Sequence, residues 1–189
     1  GKSSQELADT YGDVIDTFKV NRLDFDIETA GALTNDAEIK LRNEAITLFQ
    51  QKYPDTSVWF TLPVLPTGLV DTGVNIVKTA IDAGVDIGGV NIMTMDYGSS
   101  FTGDMGDYAN QAAKATLDQI TGLYQEAGSS VSFGMENIGI TSMIGVNDVR
   151  SNIFKLADAA TVKTFGESND VGMIGMWSLG RDKPGTSGG

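Results

Sequence analysis

Two hydrophobic periods take turns along this chain. Apolar residues fall at helical spacing over 5–17, and the run over 20–27 then reads as a buried strand. Within that strand LDFDIE places Leu23, Phe25 and Ile27 on one face and Asp24, Asp26 and Glu28 on the other, because residues two apart on a strand share a side. A second helix is expected from a cap at Asp36, with Ile39, Ala45, Ile46 and Phe49 as its apolar stripe, and Pro54 and Asp55 stop it. The pattern continues with a strand over 57–64 (SVWFTLPV), a helix over 74–83, and a strand within 85–97 (GGVNIMTMDY). A strong helix over 108–125 ends at Gly128, followed by a strand near 138–144, a helix over 149–165 and a last strand over 171–179.

Strand and helix alternate five times, which implies parallel strands, right-handed crossovers and helices outside. Near-continuous apolar strands such as VGMIGMW suit a sheet covered on both faces or a closed barrel. Two α/β architectures fit. One is a (β/α)8 TIM barrel, of which the chain supplies about the last five strands, since such barrels typically need about 250 residues. The other is a small doubly wound sheet complete in itself. On the barrel reading, 1–182 form the C-terminal portion of the domain and 183–189, with GTSGG, start a flexible linker.

Composition narrows the chemistry more than the fold. The 189 residues are 41% hydrophobic and 20% charged, ordinary for a globular chain, and the net charge of −12 argues against nucleic acid and anionic membranes as partners. The chain has neither cysteine nor histidine, which removes disulfides, thiolate chemistry, Ser-His-Asp arrangements and the usual transition-metal ligands. Carboxylates must therefore carry any acid/base work, and no cofactor is expected. No apolar run approaches the roughly 18 residues of a membrane span, and 1–9 lack the basic start and apolar middle of a signal peptide.

Ligand sites of parallel α/β folds lie at the carboxyl ends of the strands. Glu28, Asp96 with Tyr97, Thr141 with Met143, and Trp177 sit at four such ends. Three carboxylates on one face repel one another, so either a cation sits among them or their shifted protonation is used. Mg²⁺ or Ca²⁺ would suit such oxygen ligands. Taken singly, Trp177 is an ordinary core aromatic and Met93 and Met95 are ordinary gap-fillers. The loop GSSFTGDMGDY lacks the ligand spacing of a calcium site.

Taken together, these segments resemble glycoside hydrolase family 18, the chitinases. LDFDIE resembles the end of the family's D-x-x-D-x-D-x-E signature, MTMDYG its M-x-Y-D segment and MWSLGRD its closing Trp strand; TSMIGVND resembles the segment between them in bacterial chitinases. All four occur in the family's order across essentially the whole chain. Asn21 stands at the signature's first acidic position, and Met95 stands at the Tyr of M-x-Y-D, with Tyr97 following Asp96.

The resemblance implies a chitinase-like catalytic domain. It would cleave β-1,4 bonds between N-acetylglucosamine units with retention, the substrate's own acetamido oxygen acting as nucleophile. Glu28 would be general acid and base, with Asp26 orienting the acetamido group and Asp24 sharing a proton with Asp26. Asp96 and Tyr97 would hold the other side of that group, Trp177 would floor the sugar ring, and Met93, Met95 and Met143 would line the pocket. Chitin or chitooligosaccharides are the implied partners, the implied location is outside the cell, and a carbohydrate-binding module is the candidate attachment beyond the linker. A noncatalytic carbohydrate-binding relative and a metal-dependent hydrolase are the competing readings.

Overall fold

Local hydrogen-bonding side chains set where several of the helices begin. In the computed structural model, which describes residues 1–183, helix α1 (Ser4–Phe18) opens on a capping box in which Ser3 Oγ accepts from the Glu6 N–H at 3.2 Å and Glu6 Oε2 accepts from the Ser3 N–H at 2.7 Å. The expected linker over 184–189 lies outside the described residues. Strand β1 (Arg22–Asp26) leads through the short helix α2 (Ala30–Thr34) into α3 (Asp36–Lys52). The cap of α3 is Asn35 rather than the expected Asp36, its Oδ1 accepting from the Ala37 and Glu38 N–H groups.

Next come β2 (Ser57–Leu65), the two-residue β3 (Gly68–Leu69), α4 (Asp71–Asp82), β4 (Ile87–Thr94) and α5 (Met105–Glu126). Helix α5 starts three residues before the expected 108, because Asp104 Oδ1 accepts from the Asp107 N–H at 2.9 Å and nucleates an earlier turn. After β5 (Ile138–Met143), the chain departs from the expected helix over 149–165. It first makes a hairpin, β6 (Gly145–Val146) with β7 (Ile153–Phe154), and α6 begins only at Leu156 and runs to Asn169. The turn between them is closed by the Asn152 N–H donating to the Val149 carbonyl. Strand β8 (Met173–Trp177) is the last among the described residues.

Strand order decides between the two architectures. The five long strands pair in parallel as β1-β2-β4-β5-β8, each beside the next in sequence. A doubly wound sheet reverses its order at a switch point, whereas a monotonic order keeps every crossover on one face and builds an arc of barrel wall. This chain is therefore a five-stranded portion of an α/β barrel. One face of the arc carries Phe25, Val58, Phe60, Leu62, Ile92 and Ile140 against the helices, where Ile46 and Phe49 of α3, Ile76 of α4 and Ile120 of α5 are buried. Tyr11 of α1 meets Phe25 edge-on at 5.0 Å between ring centroids, which ties the first strand to its helix layer.

Phe60 lies at the centre of this layer and is fully buried. Phe60→Ala should lower the unfolding free energy by about 3–5 kcal/mol, read from urea denaturation. A loss below about 1 kcal/mol would show that the β2 core is not sealed as described.

Candidate active site

The face of the sheet turned away from the helices is built in tiers, because in-register parallel strands bring same-facing residues side by side. Every ionisable side chain of the five long strands belongs to β1, whose sequence is RLDFD; β2, β4, β5 and β8 contain none. At the lowest tier the Arg22 guanidinium lies 4.2 Å over the ring of Trp59 and its Nη1 is 3.6 Å from the Met173 sulfur. Trp59 fits there because Gly89 has no side chain: a Cβ at that position would lie 2.5 Å from the indole.

The second tier is a row of hydrogen bonds across four strands. Thr61 Oγ1 donates to Asp24 Oδ1 at 2.6 Å, Asn91 Nδ2 donates to Thr61 Oγ1 at 2.9 Å, and Thr141 Oγ1 donates to Asn91 Oδ1 at 2.9 Å. Two glycines clear the space for it. A Cβ on Gly139 would stand 2.9 Å from Asn91 Oδ1, and one on Gly175 would stand 2.7 Å from Thr141 Oγ1. Sequence reading singled out Thr141 only as a strand-end residue and missed Thr61 and Asn91. The available signal was a polar residue in the middle of an apolar strand, at VNIM for Asn91 and WFTL for Thr61.

The expected alternation of LDFDIE holds. Leu23, Phe25 and Ile27 face the core, while Asp24, Asp26 and Glu28 are exposed on the opposite side. The backbone ladder continues past β1, with the Ile27 N–H donating to the Thr61 carbonyl at 3.0 Å, so Glu28 emerges one step above Asp26 at the carboxyl end. Asp24 lies deeper than its exposure suggests. Its carboxyl sits in the concave face where protein displaces water, and this desolvation raises its pKa above the usual Asp value; the hydrogen bond from Thr61 pulls the other way, the negative charge of Asp26 adds to the rise and Arg22 opposes it.

Asp96, at the end of β4, has a left-handed backbone with φ of 50°. One carboxylate oxygen accepts from the Val149 N–H at 2.7 Å, and the Asp96 N–H donates to Asn147 Oδ1 at 3.1 Å. Buried Asn147 in turn donates to the Met143 carbonyl at 2.9 Å. Asp96 thus clasps the β6–β7 hairpin onto the strand ends. Asx side chains tolerate the left-handed region, which is why an Asp can serve here.

The remaining predicted residues divide. Trp177 is 57% exposed at the far edge of the sheet, paired with Met143, and Met93 is half-buried beside Thr141. Met95 and Met143 are buried at 9% and 4% exposure. Tyr97 is buried as well. It is 4% exposed, its ring packs against Phe101 and Tyr108 at 5.9 and 5.8 Å, and its hydroxyl is enclosed without a hydrogen-bond partner among the described residues. Burial raises its pKa. It belongs to the aromatic core beneath α5, because the reversal at Asp96 turns the following side chain inward. Among the described residues, no group of three or more Asp and Glu side chains converges as a metal site.

No protein-family profile matches the chain. It is 36% identical over 196 residues to the "Probable bifunctional chitinase/lysozyme" of Escherichia coli (strain K12), covering 97% of this chain and 22% of that protein. It is also 36% identical over 195 residues to Endochitinase 11 of Metarhizium anisopliae, covering 97% of this chain and 37% of that protein. The chain therefore spans well under half the length of these relatives. Among solved structures, the catalytic domain of a hyperthermophilic chitinase from Pyrococcus furiosus superposes with a TM-score of 0.87 at 32% identity, over 100% of this chain and 59% of that one. Catalytic-site mutants of active domain 2 of a thermostable chitinase from the same organism, complexed with chito-oligosaccharides, match equally with a TM-score of 0.87.

Two outcomes are expected from this geometry. Because the folded state holds the Asp24 proton more tightly than the unfolded chain, the native state binds more protons from about pH 3.8 upward, and the group's favourable contribution is lost as pH rises through its folded value. Asp24→Asn should accordingly gain stability on the parent as pH is raised from about 3 to about 7; a urea-midpoint difference that stays flat or shrinks contradicts this. Asp96→Ala removes the hairpin clasp, so amide exchange at Val149 should accelerate while exchange within β2 does not, as hydrogen-exchange mass spectrometry would reveal.

Proposed function

On the footing that the chain is a relative of the chitinases over nearly its whole length, we propose that it is the C-terminal part of a glycoside hydrolase family 18 catalytic barrel that hydrolyses chitin or chitooligosaccharides. The observation that carries this reading is the acid row. Asp24, Asp26 and Glu28 project from β1 and its continuation onto an open face whose other strand-borne charge is Arg22 at the lowest tier, with Trp177 exposed at the far edge. An uncharged sugar lying across that face meets carboxyl groups at one side and an aromatic surface at the other.

The chemistry follows from what the face lacks. Its strand residues include no histidine, and the hydroxyl that meets a carboxylate, Thr61 on Asp24, lies in the polar row below Asp26 and Glu28. The acetamido oxygen of the substrate supplies the nucleophile by attacking the anomeric carbon, while Glu28 gives its proton to the departing glycosidic oxygen. An oxazolinium ion results, and water activated by the Glu28 carboxylate opens it with overall retention. Asp26 accepts from the acetamido N–H and faces the positive charge that develops there. Asp24, held by Thr61, shares a proton with Asp26 from below. Met93 and Trp177 make the apolar floor, and Asp96 shapes the rim through the hairpin it holds while its second oxygen is free to meet the substrate. Chitin is an extracellular polymer, and the acidic protein is proposed to act on it outside the cell.

Glu28→Gln keeps the shape of the side chain and removes the proton. We expect its kcat on a fluorogenic chitooligosaccharide to fall at least roughly 100-fold relative to the parent, the scale of a positioned general acid. Comparable rates in the two proteins refute the assignment, and activity abolished by EDTA would instead indicate a metal-dependent hydrolase.

A further inference from the structure

The hydrogen-bonded tier across the sheet has a direction. A threonine hydroxyl has one proton to give. Thr61 spends its proton on Asp24 and accepts from the Asn91 amide, and the Asn91 carbonyl is occupied by the hydroxyl of Thr141. Each member donates toward β1, and the row ends on an oxygen of the Asp24 carboxyl, which accepts more strongly when ionised. Such chains polarise along their length, so the distant Thr141 strengthens the last bond as well as the first. The row is also built in: Asn91 is 5% exposed, and a side chain at either Gly139 or Gly175 would collide with it.

From this we infer that Thr61, Asn91 and Thr141 are positioning residues, a one-way relay of donors that fixes the Asp24 carboxyl and favours its ionised form. The inference rests on the acid row being the catalytic one. The charged groups facing Asp24 are both on its own strand, Asp26 one step above and Arg22 one step below. The elements packed beside it, β2, β4 and β5, present only neutral groups, Trp59, Thr61, Asn91 and Thr141. The relay therefore favours the Asp24 carboxylate without adding a charge, and Thr61 opposes the rise that burial imposes on Asp24.

The test follows the ¹³C carboxyl resonance of Asp24 through a pH titration of the 189-residue chain, with Asp24→Asn identifying the signal. Thr61→Val should move the midpoint upward, Thr61→Ser should restore it, and Thr141→Val should move it upward by less. An unmoved midpoint in Thr61→Val overturns the proposal; if that variant does not fold, Thr141→Val decides, and a midpoint equal to the parent's overturns it. Kinetics on a fluorogenic chitooligosaccharide supply the second readout. In Thr61→Val, kcat should fall roughly 10-fold with KM little changed, the scale of losing a hydrogen bond to a charged group, and the acidic limb of the pH profile should shift upward. A midpoint that moves in a parent without hydrolytic activity would sink the functional reading and leave the relay standing. An active parent whose midpoint is unmoved by both valine substitutions would do the reverse.

Discussion

Repulsion among carboxylates on one short strand is the constraint from which the rest of this structure follows. Asp24 and Asp26 share a face because the pleat has a period of two, and they are tolerable there only because no other strand of the sheet adds a charge to that face. The opposite face of the same strand must then hold it in place. Leu23, Phe25 and Ile27 do so against α1 and α3, with Tyr11 edge-on to Phe25. A single stretch of alternating residues thus divides the protein into a greasy layer that stabilises it and a polar face on which charge is concentrated.

That division explains why neutral polar residues matter on the open face. A charged partner for Asp24 on a neighbouring strand would neutralise the row, while an apolar one would leave a carboxyl oxygen without a donor in a desolvated concavity. Threonine and asparagine avoid both outcomes. They satisfy the carboxylate through dipoles alone, and the glycines opposite them let the row lie flat across the strands.

Much of this was legible in the sequence, for reasons that are local. The five strands and their alternation with helices follow from periodicity, and LDFDIE disclosed its two faces because the period of a strand is short and unambiguous. Strand order was not legible, since a monotonic and a reversed order use the same alternating elements; only pairing across the sheet separates them. The start of α6 was misjudged because Asn147 accepts from the Asp96 N–H and Asn152 donates to the Phe101 carbonyl, partners brought near by folding, a competition that helix periodicity cannot register. The burial of Tyr97 was not legible for a related reason: the left-handed turn at Asp96 breaks the two-residue alternation that would have placed it beside Met95 and Met93.

The same turn shows how the site is coupled to its surroundings. Asp96 spends one oxygen and its own N–H on the hairpin segment, so the residue at the end of β4 is fixed by a loop some fifty positions later in the chain. Asn147 passes the constraint on to the end of β5 through the Met143 carbonyl, and Met143 pairs with Trp177 on β8. The ends of three strands are thereby fastened to one another by short hydrogen bonds to buried or half-buried groups, where water competes least. A rim held in this way keeps the Asp96 carboxylate and the Trp177 edge at a set separation, a preorganisation that a flexible loop would not provide.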